Sequence, residues 1–379
     1  MRAEQGPPGQ GPPEQGPPGL DPPGLDPPGL PAALDAYGQR TREALLARLD
    51  GHTPEVLSAA LREYPARAGK ALRPAWVLLT SAALGGSEES GMALAVGVEM
   101  LHNAFLVHDD VSDGSRLRRG GPSLPEQVGV GLAVCAGDAL AVEAMAVLRE
   151  AAGPLPSRGR AVSGEVDTAI RRTIEGQAIE LGWDRAGRLD VTVADYLDMV
   201  LRKTSWYSVI LPCRLGCLAA RAGPLGPRRF VRFGSLTGAV LQIGDDLLGL
   251  TAPAERTGKE WGDDVLEGKR SLPVIHCLAT ASRSDRTRLR RLLAGPREAR
   301  TRDDARWVTD LLDRHGGFDF ARRCASGLAA AARDELGREL AGVPHTPQAA
   351  LLSDLVGHLE ARAASADVAA VAAASAAAR

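Results

Sequence analysis

Two clusters of aspartate, far apart along the chain, have the residue types and spacing to do chemistry. The first comprises Asp109, Asp110 and Asp113, and the second comprises Asp245 and Asp246. Residues four positions apart stand on one face of a helix, so Asp109 and Asp113 can point the same way. Carboxylates that project from facing helices of a bundle are suitable ligands for hard divalent cations.

Basic side chains follow each aspartate cluster. Arg116, Arg118 and Arg119 come after the first cluster, and Lys259 and Lys269 come after the second. Basic side chains bind phosphate oxygens, and magnesium bridges carboxylates to phosphates. The combination predicts a cavity that binds a diphosphate together with a metal ion.

Lysine is rare in this chain, which makes the position of each lysine informative. Only four of the 45 Lys and Arg residues are lysines. An ammonium and a planar guanidinium are not interchangeable at a phosphate, so we expect the lysines to lie at functional positions. They are Lys70, Lys203, Lys259 and Lys269. The alternative is that a few lysines survive by chance in an arginine-rich composition.

The composition favours helices and argues against several other classes of protein. Hydrophobic residues make up 44% of the 379 residues and aromatic residues only 4%, while Ala and Leu are abundant. The net charge of −2 argues against a nucleic-acid partner. The five cysteines lack the CxxC spacing of zinc sites, so we expect reduced core thiols of a cytoplasmic protein. We expect no signal peptide, and no transmembrane helix, because no run of about 18 uncharged apolar residues occurs.

The sequence divides into three parts. Residues 1–31 contain five proline- and glycine-rich pentapeptides, which predict a disordered tail that either solubilises the protein or binds an unknown partner. Residues 32–363 carry apolar side chains at steps of three and four, which predicts a single all-α domain. Residues 364–379 are alanine-rich and are expected to extend or fray the last helix without taking part in chemistry.

The sequence motifs and their order along the chain resemble those of the trans-isoprenyl diphosphate synthases, the polyprenyl synthetase family. The family motif DDxxD followed by RRG matches residues 109–120, and GKxxRP matches residues 69–74. GQ matches 176–177, KT matches 203–204, and the second aspartate region matches 242–273. The resemblance implies a single large helical bundle of the isoprenoid synthase type, with a deep central cavity, that forms a homodimer.

The resemblance also implies the reaction. The enzyme would condense isopentenyl diphosphate with allylic diphosphates head-to-tail to a short trans-prenyl diphosphate. The expected product has 20 carbons, and a product of 15 carbons is the alternative. Mg²⁺, expected as three ions with the allylic diphosphate, would neutralise the leaving group before the C–O bond breaks. The double bond of isopentenyl diphosphate would then attack the allylic cation, and the released diphosphate would accept the proton that is lost.

Individual residues acquire expected roles from the resemblance. Those expected at the metal are Asp109, Asp110, Asp113, Asp245 and Asp246, with Asp110 and Asp246 orienting metal-bound waters. Those expected on the allylic diphosphate are Arg118, Lys203 and Lys259. Those expected on isopentenyl diphosphate are Lys70, Arg73, His102 and Arg119. Thr204, Gln242 and the carbonyls near Lys203 would stabilise the allylic cation by their dipoles, or Thr204 and Gln242 would only pack or cap their helices.

Product length is expected to depend on the helix turn before the first aspartate. Residues four and five positions before Asp109 lie one turn deeper, under the growing chain. They are Phe105, which could close the pocket, and Ala104, which leaves room. The alternative is that Phe105 faces a neighbouring helix and has no effect on length.

Two positions depart from the family pattern. Gly249 stands where the third aspartate of the second motif usually lies, and Ala71 follows Lys70 where a second basic residue is common. Because Asp245 remains, we expect activity to survive with weaker metal binding.

Two other classes of protein share some of these features. A class I terpene cyclase also uses an aspartate-rich helix, but its second metal motif begins with asparagine, and the only asparagine here is Asn103. A non-catalytic accessory subunit of a prenyl synthase would suit Gly249 and the proline-rich tail. Against that alternative, both diphosphate sites are complete in the sequence.

Overall fold

Helices form nearly all the regular structure of the described residues. The computed structural model describes residues 29–51, 53–153, 156–221, 226, 228–252 and 261–365. Lys259 and most of both predicted tails therefore lie outside the described residues. The first helix begins at Leu30, inside the segment assigned to the tail, because Leu30 is buried and Pro31 is tolerated in a first helical turn.

The elements follow one another with short connections. In chain order, the helices are α1 (Leu30–Arg48), α2 (Glu55–Ala66), α3 (Leu72–Ala83), α4 (Glu88–Asp113), α5 (Leu124–Val128), α6 (Val130–Ala151), α7 (Pro156–Arg185), α8 (Val193–Val200), a π-helical segment (Leu201–Ile210), α9 (Leu211–Ala219), α10 (Val231–Thr251), α11 (Asp263–Glu267), α12 (Leu272–Thr280), α13 (Arg283–Ala294), a 3₁₀ turn (Arg297–Ala299), α14 (Arg302–Arg314), α15 (Gly317–Glu339) and α16 (Pro347–Ala364). The sequence showed no strand, but β1 (Leu117–Arg118) and β2 (Gly121–Pro122) form a minimal antiparallel hairpin.

The helices that carry the aspartate clusters lie at the centre of the bundle. Helix α4 packs against α3 and α6, and α10 packs against α15, α16 and the π-helical segment. Helix α10 contributes to two apolar cores, with Val240 and Leu241 in one and Ile243 and Leu247 in the other. Both aspartate clusters therefore stand on helices whose other faces are fixed by core packing.

Glycines bring two helices into close contact with the π-helical segment. A Cβ atom at Gly176 of α7 would lie 2.6 Å from Cα of Lys203, and one at Gly238 of α10 would lie 2.6 Å from Cα of Ser205. Such distances are too short for any side chain, so only glycine allows these approaches. The segment that carries Lys203 and Thr204 is thus held between α7 and α10. π-Helical segments of this kind are often found at functional sites.

Among the described residues, helices α4 and α6 are long and apolar enough to span a membrane by length and composition alone, with mean hydropathies of 1.3 and 1.8 over their most apolar stretches. The absence of a transmembrane helix stays a prediction. In α4, 61% of that stretch is buried inside the protein, so core packing accounts for its composition. In α6 only 33% is buried, and Val130 and Val142 are 58% and 65% exposed.

The cysteines are free thiols, as predicted, but they are not all in the core. Cys213, Cys217 and Cys277 are buried, Cys324 is half-buried, and Cys135 is exposed on α6. The expectation of a core position is therefore wrong for Cys135, because it lies on the apolar face of α6 that this chain leaves uncovered.

Candidate active site

The first aspartate cluster ends α4. The helix stops at Asp113 because Gly114 adopts a left-handed conformation (φ 60°), and Arg297 donates a hydrogen bond to the backbone oxygen of Asp113. Burial raises the pKa of the Asp113 carboxyl, and the negative charge of Asp109 raises it further, while Lys269 opposes both. Two partly desolvated carboxylates that repel each other are a favourable place for a cation.

Asp110 is held by other protein groups, and its role at the metal stays a prediction. It is completely buried and accepts hydrogen bonds from Nε of Arg118 at 2.9 Å and from the Tyr64 hydroxyl at 2.5 Å. The Tyr64 oxygen in turn accepts from the backbone N–H of Leu124 at 2.7 Å. Asp110 therefore holds the hairpin and α2 against α4. Because Nε and Nη2 of Arg118 bond Asp110, Nη1 is the guanidinium nitrogen without a hydrogen bond to the described residues.

The second cluster places its two aspartates in different surroundings. Asp246 is buried and accepts hydrogen bonds from the Tyr196 hydroxyl at 2.7 Å and from Nε2 of Gln242 at 2.8 Å. Burial and the nearby charge of Asp264 raise its pKa to about 7, against these two hydrogen bonds. Its neighbour Asp245 is 46% exposed at the side chain, which leaves that carboxylate accessible to a ligand.

Two basic side chains converge on Asp245. Nζ of Lys70 lies 3.4 Å and Nη2 of Arg362 lies 2.8 Å from its Oδ1 atom. Desolvation by the surrounding protein raises the pKa of this carboxyl, but Lys70 and Arg362 outweigh it and lower the pKa to about 2. Arg362 belongs to α16 and was missed by sequence reasoning, because nothing distinguishes it among the many arginines.

Thr204 and Gln242 bond each other across the site. Oγ1 of Thr204 donates to Oε1 of Gln242 at 2.6 Å, and the Gln242 amide donates onward to Asp246. This chain connects the π-helical segment to α10 and fixes the orientation of the amide. Their action on an allylic cation stays a prediction, and so does the alternative that they only pack or cap their helices.

Two half-buried lysines stand among the carboxylates. Lys203 forms an ion pair with Glu180 of α7, and Nζ of Lys269 lies 2.8 Å from Oδ1 of Asp264 and 4.0 Å from Oδ2 of Asp113. Burial lowers the pKa of Lys203, but Glu180, then Asp109 and Asp113, outweigh it and raise that pKa. Sequence reasoning gave no individual role to Glu180 or Asp264, and it placed Lys269 only among the basic side chains of the predicted diphosphate cavity. Glu180 could have been found by its position one helical turn after Gln177.

The residues expected on isopentenyl diphosphate form a second positive cluster. His102 is buried, and burial together with the charges of Arg73, Arg119, Arg118 and Lys70 lowers its pKa. Within the described residues, its Nδ1 atom and Nε of Arg73 are buried without a hydrogen-bond partner. Buried donors without acceptors next to uncompensated positive charge favour an anion.

Arg119 has structural contacts in this cluster. Its Nη1 atom donates to the backbone oxygens of Tyr64 and Arg67, at 2.8 and 3.1 Å, and to Oδ1 of Asn103 at 3.2 Å. A Cβ atom at Gly69 would lie 3.0 Å from its Nη2 atom. Arg119 therefore holds the loop before α3 in place, and its predicted contact with the diphosphate is not tested.

The departure at Ala71 has a packing explanation. Ala71 is buried in a left-handed conformation (φ 51°), and a Cβ atom at Gly38 of α1 would lie 2.9 Å from its own Cβ. Ala71 therefore packs closely against α1 at Gly38, which leaves little room for a longer side chain. Arg362 instead brings a second positive charge to Asp245.

Comparison with known proteins identifies this arrangement. The sequence model described as polyprenyl synthetase matches residues 54–312. The chain belongs to the polyprenyl synthetase family. A short chain isoprenyl diphosphate synthase of Methanothermobacter thermautotrophicus is 30% identical over 304 residues, which cover 80% of this chain and 90% of that protein.

Solved structures of the polyprenyl synthetase family confirm the predicted helical bundle. A geranylgeranyl pyrophosphate synthetase from Pyrococcus horikoshii superposes with a TM-score of 0.75 at 27% identity, covering 87% of this chain and 98% of that one. A polyprenyl synthase from Caulobacter crescentus, complexed with calcium and isoprenyl diphosphate, superposes with a TM-score of 0.77 at 25% identity, covering 87% of this chain and 96% of that one. The chain is a transferase with short-chain trans-prenyl diphosphate synthase activity, as the motifs predicted, so the cyclase and accessory-subunit alternatives are set aside.

Synthases of this family depend on magnesium, and the donors at this site fit that ion. Among the residues that the structure describes, no three His, Cys, Asp or Glu side chains surround a point that could hold a metal by themselves. Mg²⁺ does not require such a cage, since it binds through one or two carboxylates, waters and substrate phosphates. The partly desolvated pair Asp109 and Asp113, with the ammonium of Lys269 beside it, has the oxygen donors for this.

The residues expected to set product length lie between α4 and the π-helical segment. Ala104 is completely buried. Phe105 is half-buried and packs edge-to-face on Tyr207, with ring centroids 5.2 Å apart. Tyr207 also accepts a hydrogen bond from Arg73 at 2.8 Å. Phe105 is therefore next to the isopentenyl diphosphate cluster, and its effect on product length stays a prediction.

Proposed function

We propose that this synthase makes geranylgeranyl diphosphate by adding isopentenyl diphosphate to allylic diphosphates, head-to-tail, as a magnesium-dependent homodimer. The observation that carries the proposal is the meeting of two diphosphate-type clusters. One contains the aspartates with Lys203 and Lys269, and the other contains Lys70, Arg73 and His102. The contact between Lys70 and Asp245 joins the two clusters.

The aspartate cluster would bind the allylic diphosphate. Asp109, Asp113 and Asp245 would hold three Mg²⁺ ions, which supply the positive charge that neutralises the leaving diphosphate. Lys203 stays protonated in its surroundings, so its ammonium can bond phosphate oxygens once the diphosphate and its ions weaken the pair with Glu180. Arg118 would offer its Nη1 atom. Lys259 lies outside the described residues and keeps its predicted role as a proposal.

The positive cluster would bind isopentenyl diphosphate. Lys70 and Arg73 would bond the diphosphate directly, and the neutral His102 would donate one hydrogen bond, since its lowered pKa keeps it uncharged at neutral pH. Nε of Arg73 and Nδ1 of His102 are the buried atoms that such an anion would satisfy. Arg119 would contribute its charge while it holds the Lys70 loop.

The reaction would then proceed with few protein groups. The C1–O bond of the allylic diphosphate breaks with its electron pair on oxygen. The double bond of isopentenyl diphosphate forms a bond from its C4 to that C1. The proton lost from C2 goes to the released diphosphate. Thr204 and Gln242 are fixed by their mutual hydrogen bond and by Asp246, and the free lone pairs of their oxygen atoms would stabilise the cation.

Product length of 20 carbons is supported by the geometry beside Phe105. The ring is held against Tyr207, which limits its movement, while the buried Ala104 next to it takes little space. The solved geranylgeranyl pyrophosphate synthetase of Pyrococcus horikoshii supports the same length.

The homodimer is supported by the uncovered apolar surface of α6 and α7. Val130 and Val142 of α6 and Ile174 and Leu181 of α7 are between 42% and 65% exposed. A monomer leaves such large apolar side chains in water, and a second copy would cover them.

We also propose that the protein is cytoplasmic, with reduced thiols. A proline-rich tail and a short alanine-rich tail would flank the synthase domain.

The proposal is tested by sizing the products from different starters. Purified protein is incubated with Mg²⁺, labelled isopentenyl diphosphate and allylic diphosphates of 5, 10 or 15 carbons, and the dephosphorylated products are separated by length. We expect a 20-carbon product from every accepted starter. Products that stop at 15 carbons, or that extend well beyond 20, would contradict the proposed length.

A further inference from the structure

The outer face of α13 is strongly positive, although the whole chain has a net charge of −2. The 12 residues of this helix include five arginines and one acidic residue. Four of the arginines are exposed, and the other exposed residues of the helix are the uncharged Ser284, Thr287 and Ala294. These four residues, which we call the α13 arginine patch, are Arg283, Arg288, Arg290 and Arg291.

The one acidic side chain of α13 does not neutralise this patch. Asp285 lies four positions before the buried Leu289, so it stands on the inner side of the helix. It accepts a hydrogen bond from the Ser282 hydroxyl at 3.0 Å, and Nε2 of His315 lies 3.5 Å from its Oδ2 atom. The carboxylate of Asp285 is therefore occupied at the beginning of the helix and on its inner side.

Within the part of the chain that the structure describes, no residue of the α13 arginine patch forms an ion pair. Exposed arginines on other helices are paired with a carboxylate three positions away, as Arg306 is with Asp303 and Arg338 is with Glu335. In the patch, Cζ of Arg288 lies 4.0 Å from the ring centroid of Trp307 on α14. The patch thus offers several positive charges to an anionic partner, with a half-buried tryptophan at its edge.

The residues that follow α13 connect it to the active site. Arg300 donates hydrogen bonds to the backbone oxygens of Leu292 and Leu293, at 3.2 and 3.0 Å, and so fixes the end of the helix. Arg297, in the 3₁₀ turn between them, donates to the backbone oxygen of Asp113. The position of α13 is therefore fixed relative to the first aspartate cluster.

An anionic lipid surface suits this patch better than a nucleic acid or another protein. The patch is the convex face of one helix about 18 Å long, without an apolar groove, and the negative net charge of the chain opposes binding along a polyanion. Tryptophan is enriched at membrane–water interfaces. The product of this synthase is a prenyl diphosphate, and each methylene of its chain favours a bilayer over water.

We propose that the α13 arginine patch docks the protein reversibly on a membrane surface that contains anionic lipids. Guanidinium groups bind lipid phosphates by charge-assisted hydrogen bonds, and several basic side chains act together because each contributes little alone. Docking by this face brings the enzyme to the phase that its product enters. The proposal goes beyond the chemistry of the active site and does not depend on the product length or on the metal.

Vesicle binding by the full-length protein tests the proposal. Vesicles of phosphatidylcholine, alone or mixed with phosphatidylglycerol, are sedimented at low ionic strength with the native protein or a variant, and the lipid concentration at half binding is measured. Glutamine replaces arginine because the two have similar helix propensities. The patch variant combines Arg283→Gln, Arg288→Gln, Arg290→Gln and Arg291→Gln.

A control variant has the same change in net charge elsewhere on the surface. Its four substituted arginines are exposed and lie outside α13 and outside the active site. They are Arg40→Gln, Arg149→Gln, Arg306→Gln and Arg338→Gln. Elongation without vesicles should proceed at the same rate in the native protein and in both variants, which also shows that the variants are folded.

We expect the native and control proteins to bind the mixed vesicles and not phosphatidylcholine alone. The patch variant should need at least about tenfold more lipid for half binding, because each basic residue near an anionic surface strengthens binding several-fold. Binding of the native protein should be lost at a salt concentration of about 1 M, where the screening length is about 3 Å.

Equal binding of the patch variant and the native protein would overturn the proposal, as would a native protein that binds no mixed vesicles. Equal loss of binding in the patch and control variants would show that net charge acts, and not this face. Tighter binding of the native protein to duplex DNA than to the mixed vesicles would make nucleic acid the partner. If the patch variant does not fold, Arg283→Gln with Arg291→Gln is compared with Arg40→Gln and Arg338→Gln by the same criteria.

Discussion

The ammonium of Lys70 lies 3.4 Å from Oδ1 of Asp245, although one residue precedes α3 and the other lies on α10. This contact places the GKxxRP motif against the second aspartate motif. Arg362 from α16 bonds the same oxygen at 2.8 Å. The two proposed substrate sites therefore share a border, and we expect the anchoring of one substrate to affect the charge balance of the other.

Asp246 gives the protein a pH-dependent stability. Its pKa is about 7 in the folded protein, above the value near 4 of an unfolded aspartate, so the folded state binds the proton more tightly. The stability from this group is complete below pH 4 and is lost as the pH rises towards 7. In metal-free buffer, we expect urea midpoints of the native protein to fall relative to Asp246→Asn between pH 5 and 8. A constant difference between the two proteins would contradict this.

Gly176→Ala should distort the site. The new Cβ atom would lie 2.6 Å from Cα of Lys203, so α7 or the π-helical segment must move. Overpacking of this kind costs about 1–3 kcal/mol in the free energy of unfolding, and elongation should fall with it. The control is Gly182→Ala on the same helix, where nothing lies within 4 Å, and which should gain up to about 1 kcal/mol from helix propensity. Urea unfolding measures the stability of both variants. Equal changes in their free energies of unfolding would contradict the close contact between Gly176 and Lys203.

Phe105→Ala should lengthen the product. Removal of the ring leaves space beside Tyr207, into which we expect the growing chain to extend. We expect products at least one five-carbon unit longer than those of the native protein in the same assay. Phe320→Ala is the control, because Phe320 stacks on His276, at 4.6 Å between centroids, within the other apolar core. An unchanged length in Phe105→Ala would mean that this ring does not limit the product.

Val142→Glu should disrupt the proposed dimer. Val142 is 65% exposed on α6, so a charge there costs the monomer little but would be desolvated in an interface. Light scattering during size-exclusion chromatography should show a dimer for the native chain and a shift to monomer for the variant. Val56→Glu on α2, 56% exposed in the native protein, should remain dimeric. A native chain that is monomeric at micromolar concentration would exclude the dimer.

The helical bundle and the two aspartate helices were predictable from local sequence. Apolar periodicity indicates the helices, and the spacing of Asp109 and Asp113 indicates their common face, because both depend only on residues a few positions apart. The order of the motifs then indicated which residues belong to one site. Predictions that depend on neighbours in sequence were therefore the reliable ones.

Roles that depend on tertiary contacts were not predictable in this way. Asp110 binds Arg118 only because the short hairpin turns the chain back, and no strand pattern announces a hairpin of two-residue strands. Arg362 reaches Asp245 from the last helix. Asp264 fills the space at Gly249 because α11 packs beside α10. Each of these contacts joins segments whose distance in space the sequence does not indicate.

The most direct test of the central claim is elongation with and without the first aspartate. Labelled isopentenyl diphosphate and a 15-carbon allylic diphosphate are incubated with Mg²⁺ and either the native protein or Asp109→Ala, with EDTA added to a third sample. We expect a 20-carbon prenyl product from the native protein, a loss of at least about a hundredfold in Asp109→Ala, and no product with EDTA. Equal rates in the native and Asp109→Ala proteins would contradict the assignment of this site.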